Sequence, residues 1–143
     1  MLEIVLTAVA VVLVAVLAVV ALGAWRFLRA TRSARRRLRQ LGGHREVAVL
    51  LGRASVGRDQ SPTVGTLVRT DDVVVLVPAT AGSEVLVARD DLTAASTTTS
   101  FLGRSFGEPV LLLTWEEHGL GDAVALRVGD PQTWITALTR PVA

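Results

Sequence analysis

Residues 4–25 read IVLTAVAVVLVAVLAVVALGAW, an unbroken run without a charged side chain from Ile4 to Trp25. As a helix rising 1.5 Å per residue it would be about 33 Å long, which matches a bilayer hydrocarbon core of about 30 Å. Its many valines are no obstacle, because in lipid a helix is the only single-segment way to satisfy every backbone amide. A buried core helix is a poor alternative, since the roughly 100 residues that follow make one domain with no interior long enough to surround it. A cleaved signal peptide also fits badly. The chain opens Met1-Leu2-Glu3 rather than with cations, the apolar run exceeds the usual length of about 7 to 15 residues, and no small-x-small site precedes the arginines. Residues 1–25 are therefore expected to form a transmembrane helix.

Immediately after this run come Arg26, Arg29, Arg32, Arg35, Arg36, Arg37 and Arg39. Cations beside a span stay on the cytoplasmic side, so the reading is a single-pass protein of the cell (inner or plasma) membrane. Its N-terminus would lie outside and its C-terminal domain in the cytoplasm. Trp25 and Phe27 stand where an interfacial aromatic belt is expected. Residues 26–43 read as an Arg-rich juxtamembrane helix and linker, stopped by Gly42-Gly43. Phe27, Thr31, Ala34, Leu38 and Leu41 form a narrow apolar stripe on it. That stripe could pair two copies through residues 27–41, the arginines could lie on anionic headgroups, or the segment could simply fix topology and spacing.

Net charge is divided. The chain carries +2 overall, yet residues 1–45 hold eight Arg against one Glu, and residues 46–143 hold seven Arg against twelve acids. A folded domain of net −5 is a poor match for nucleic acid, whose phosphates need clustered cations. The absence of cysteine excludes disulfides, thiolate catalysis and Cys-based zinc sites. Without lysine there is no P-loop, and the glycines do not make G-x-G-x-x-G, so nucleotide binding has no support.

Beyond Gly43 the apolar period shortens to two, with turn residues every eight to twelve positions, the pattern of an antiparallel sandwich or barrel. Strands are predicted over 46–57, 62–70, 73–79, 84–89, 92–100, 109–117 and 122–128. Asp71-Asp72 and Ala81-Gly82-Ser83 read as turns, Phe101–Gly107 as a loop with two flexible glycines, and Glu117–Gly121 as the last inter-strand loop. Leu111, Leu113 and Trp115 share one face of their strand, and Val124, Leu126 and Val128 one face of the next. A closing helix follows, with Asp130 as N-cap, Pro131 at the first helical position and Trp134, Ile135 and Leu138 on one side. Arg140 would complement its dipole and Pro141 would end it.

These residues carry a resemblance. Gly65–Asp72 (GTLVRTDD), Val75–Pro78, Asp91-Leu92, Phe101-Leu102-Gly103, Leu113-Thr114-Trp115, and Asp130-Pro131 with Trp134 and Leu138 are similar to the pleckstrin-homology-like superfamily. More narrowly, the chain resembles bacterial PH-like or GRAM-like domains of single-span actinobacterial membrane proteins. The resemblance covers about residues 46 to 140 and implies two orthogonal sheets, as a seven-stranded sandwich or partly open barrel, plugged by the final helix. It implies binding of lipid headgroups or peptides, and brings no catalytic residue. The fold class expected is thus an N-terminal transmembrane helix followed by a mainly β, PH-like domain over residues 44–143.

Candidate ligand contacts are Arg53, Arg58, Arg69 and Arg104, with Phe101 and Phe106 as rings that are either buried plugs or exposed contacts. Glu116-Glu117-His118 could suggest a metal or acid/base group, but three neighbours at a strand end do not converge without further ligands. Asp71-Asp72 and Asp90-Asp91 read as turn residues, because adjacent strand positions point to opposite faces. The run Ser96–Ser100 is expected to ladder hydroxyls with a neighbouring strand. No metal site, cofactor or catalytic set is expected. The expected function is recruitment of an unknown protein partner, its peptide captured by strand addition along an open sheet edge or in a corner groove, with headgroup sensing as the alternative.

Overall fold

The computed structural model describes residues 1–80 and 82–140. Ala81, in the second expected turn, and Pro141, the expected helix stop, lie outside the described residues.

A single helix, α1 (Leu2–Leu41), contains both the apolar run and the arginine segment. It is about 60 Å long, and its N-terminal half is long and apolar enough to cross a membrane. Ile4, Val12 and Leu17 are each more than half exposed to solvent. At its end Gly42 and Gly43 both take positive φ, 63° and 77°. The second has a further reason to be glycine, because a Cβ there would lie 2.2 Å from the Arg69 carbonyl oxygen.

Seven antiparallel strands follow: β1 (His44–Arg53), β2 (Thr63–Arg69), β3 (Val73–Pro78), β4 (Val85–Ala88), β5 (Leu92–Phe101), β6 (Arg104–Glu117) and β7 (Leu120–Arg127). They form one sheet in the order β4-β3-β2-β1-β7-β6-β5, which does not close, so β4 and β5 are its edges. The final helix, α2 (Pro131–Thr139), packs against β5 and β6. Trp134 and Leu138 enter the main core with Leu67, Leu76, Leu111, Leu113, Trp115, Val124 and Leu126. Period-two alternation thus places Leu111, Leu113 and Trp115 inward, while Val110 joins a second cluster on the other face with Leu51 and Ala125.

Three boundaries differ from expectation. β1 stops at Arg53 and the chain turns through a short 3-10 helix at Ala54–Val56. Asp122 accepts hydrogen bonds from both the Ser55 backbone N–H and hydroxyl, which pulls the chain off the strand path. Phe101–Gly107 is not one loop but the tip and first residues of a hairpin. Only Leu102 and Gly103 turn, with φ of 52° and 75°, the double positive φ whose twist suits a two-residue hairpin. The last loop likewise shrinks to His118 and Gly119, at 51° and 78°.

α1 does not stand clear of the domain. Ala30, Ser33, Ala34 and Arg37 border a crevice whose opposite wall is Val77, Pro78, Thr80, Gly82 and Glu84. The Arg37 Nε donates to Glu84 at 3.0 Å. Thr31, Ala34, Leu38 and Leu41 are half-buried, whereas Phe27 stays exposed. Most of the juxtamembrane stripe is therefore partly covered within the same chain.

Candidate functional site

The juxtamembrane cations divide by surroundings. Arg29 lies over the Trp25 ring at 5.4 Å, a contact that holds the indole at the boundary of the apolar run. Arg37 is tied to Glu84, while Arg26, Arg32, Arg35, Arg36 and Arg39 are exposed.

The four candidate arginines of the domain do not converge. Arg53 donates to Asp122 at 2.6 Å and its guanidinium lies over Trp115 at 5.5 Å. Arg69 pairs with His44 at the opposite end of β1, about 30 Å along the strand, and stacks on Trp134. Arg58 and Arg104 are the pair that comes together. Arg58 lies against the Gly103 turn, and Arg104 donates to the Gln60 carbonyl at 3.2 Å in the loop that carries Arg58. Phe101 and Phe106 are half-buried against Leu51, Val110 and Ala125.

Sequence reasoning missed the polar latches that organise these elements. Glu46 accepts from the Trp134 indole N–H at 2.6 Å and from the Gly129 backbone at 2.5 Å, fixing α2 to the first strand. Arg89, and not Arg140, serves the C-terminus of α2, donating to the carbonyls of Ala137 and Leu138 at 3.3 Å. Asp130 caps the N-terminus as expected. The Thr133 hydroxyl, chiefly, and the backbone N–H groups of Gln132 and Thr133 hold its carboxyl below the ordinary value against partial desolvation. For Asp122, burial opposes ionisation, but Arg53, the Ser55 hydroxyl and the N–H groups of Ala123 and Ser55 outweigh it. Its pKa is lowered as a result.

His118 Nδ1 is 3.8 Å from Glu117, on an exposed turn. Among the described residues no three of His, Cys, Asp and Glu gather as a metal-binding group. Asp90 and Asp91 belong to a single 3-10 turn. Of the hydroxyls in Ser96–Ser100, Thr98 turns along its own strand to the Ser100 carbonyl, and a cross-strand hydroxyl pair forms instead at Thr93 and Thr114.

The two edges of the sheet differ in length. β5 hydrogen-bonds to β6 on one side and is the end of the sheet on the other. It is ten residues long, LTAASTTTSF, without a charge or a proline, and its register against β6 is regular from Ala94 to Thr98, between shifts at Leu92/Ala94 and Thr98/Ser100. β4, the other edge, has four residues.

No family model and no curated protein matches the chain. Among solved structures, the C-terminal domain of an unknown protein from Leishmania infantum is similar over 66% of this chain and 77% of its own. The identity is 10% and the TM-score 0.46.

Proposed function

We propose that this chain is a single-pass membrane protein whose PH-like β domain works at the cytoplasmic face as a non-enzymatic module that recruits a protein partner. The arginines that follow the apolar run support the orientation, since cations flanking a span are retained in the cytoplasm. The observation that carries the functional reading is the free edge of β5. An uncharged edge of this length offers a row of unpaired N–H and C=O groups, and an extended peptide satisfies them by adding one strand. Main-chain bonds supply affinity, and alternate side chains of the peptide meet the sheet face or α2. This reading assigns no catalytic role: Glu46 and Asp122 are accounted for by holding Trp134 and the 3-10 turn in place.

The test is a proline scan from Ala94 to Thr98, where the register against β6 is regular, in the full chain, with proximity labelling from the C-terminus in cells. Along an edge strand successive N–H groups alternate between the neighbouring strand and open solvent. Prolines at alternate positions should therefore lose the labelled neighbours while the protein remains abundant, and those between should destabilise the sheet. A neighbour set that survives every proline would end the strand-addition reading.

A further inference from the structure

We infer that the outer face of the β1–β2 pair, beside α1, is a docking site for an amphipathic helix of another protein, apolar on the side that meets the sheet and acidic along the flank that meets α1. The site lies three strands from β5 in the sheet and does not depend on strand addition there.

The face of the sheet turned away from the main core is covered only in part. Along β3, Val74 and Leu76 point into that core, so Val75 and Val77 point the other way, and yet both are buried. Their cover is α1, which packs on β3 and brings Ala30, Ser33 and Ala34 to Val77 and Pro78. Val68, opposite Val75 on β2, is buried with them. Beyond this point the cover ends. Leu67 and Ala48 belong to the main core, so Val64 and Thr66 on β2 and Val47 and Val49 on β1 share the outer face. Val47 is 69% exposed and Val64 52%, and the register sets Val49 beside Val64 and Val47 beside Thr66. β1 and β2 each have a paired strand on both sides, so side chains and not a further strand complete this surface.

Arg37 fixes how α1 is turned above it. Its guanidinium reaches Glu84, immediately before β4, on one side of β3. Arg35 and Arg39 stand two positions before and after it, each about 200° round the helix, and therefore project over the opposite side, toward β2 and β1. Both are exposed, as is Arg45, which shares the outer face of β1 with Val47. Glu108, on the outer face of β6, is already paired at 2.7 Å with Arg127, the residue opposite Val49. The result is a groove with an apolar floor and a basic wall.

Its width is that of a helix. β1 lies two strand spacings from β3, about 9.6 Å, and helices side by side pack about 8 to 10 Å apart. A helix laid over β1 along α1 would touch α1 and cover Val47, Val49 and Val64 together. Its apolar residues would recur at helical spacing, and acids on its flank would meet Arg35 and Arg39, one turn apart on α1. A second copy of this chain does not supply such a helix. Most of the juxtamembrane stripe of α1 is partly covered by its own domain, the rest of that segment carries arginines, and α2 places Trp134 and Leu138 in the core.

The test uses the full-length chain with the photo-crosslinking residue p-benzoylphenylalanine in place of Val47, irradiated in cells, the attached segment being read by peptide mass spectrometry. The expected adduct is a protein segment with apolar residues at helical spacing and acids along one flank. Arg35→Glu with Arg39→Glu should lower its yield about tenfold, and Arg35→Lys with Arg39→Lys should restore most of it. Val64→Asp should also lower the yield, by setting a carboxylate in the apolar floor. Arg36→Glu should leave it unchanged, since Arg36 stands two positions from both Ala34 and Leu38 and points away from the sheet. Circular dichroism of each variant in detergent should match the unsubstituted chain, because every substituted side chain is exposed. An adduct to lipid, to a second copy or to a segment without acids overturns the proposal. So does the absence of any adduct, or a yield indifferent to Arg35 and Arg39.

Discussion

The valines of this chain live in two opposite environments. In α1, Val11, Val12 and Val14 are 62 to 66% exposed, whereas in the sheet Val68 and Val75 are fully buried. Both sets are apolar to the same degree, and both are more stable away from water. The helix satisfies its backbone within itself and is long and apolar enough for lipid to cover its side chains, while the strands need partners for backbone and side chains alike. The same residue therefore marks an uncovered apolar helix in one region and a tertiary core in the other, and substitutions should separate the two cleanly.

The largest effect is expected from a carboxylate in each environment. Val75→Asp should abolish the folded domain, seen as loss of near-UV circular dichroism, while the chain still floats with vesicles. Val12→Asp should do the reverse, lowering membrane insertion by about 3 kcal/mol and leaving the domain spectrum intact. A domain that unfolds on Val12→Asp would break the comparison. Next comes Trp134→Ala, which empties a core site and removes the indole N–H from Glu46, and should cost about 3 to 5 kcal/mol in denaturant unfolding of the full chain in detergent. Trp25→Ala, on the other side of the comparison, should leave that midpoint unchanged.

Asp122→Ala should cost about 2 kcal/mol, since it strands Arg53 and the Ser55 N–H. Its pH dependence has a definite sign. The folded carboxyl titrates below its unfolded value, so its contribution is complete above the unfolded value and is lost as pH falls through the folded one. The gap between wild type and variant should narrow in acid. The smallest effect belongs to the joint between the regions. Arg37→Ala, removing a half-exposed ion pair, should change domain stability by less than about 1 kcal/mol, and calorimetry would register any larger coupling.

Much of this architecture was legible locally. Strand starts and stops at β2, β3, β5 and β7 fall within about two residues of the alternating pattern, and the Asp130-Pro131 signal places α2 correctly. The candidate arginines are harder to tell apart. Arg53, Arg58, Arg69 and Arg104 look equivalent in a sequence, but Arg53 is committed to Asp122 and Arg69 sits at the far end of the domain. The two-residue turns at Leu102 and His118 were read only as parts of longer loops, because the first position of each lacks the glycine or asparagine that usually announces a positive φ.

By itself the sequence determined the apolar helix, its basic flank, the antiparallel sheet and the capped final helix. Each is written in a periodicity or a turn signal spanning a few residues, and short-range sterics and hydrophobic patterning are enough to read it. Tertiary structure alone decided that Glu46 holds Trp134, that Arg89 finishes α2, that Asp122 bends the chain after Arg53, and that α1 lies along β3. The side-chain bonds among these join residues 48 to 88 positions apart, and their geometry exists only once the strands have paired.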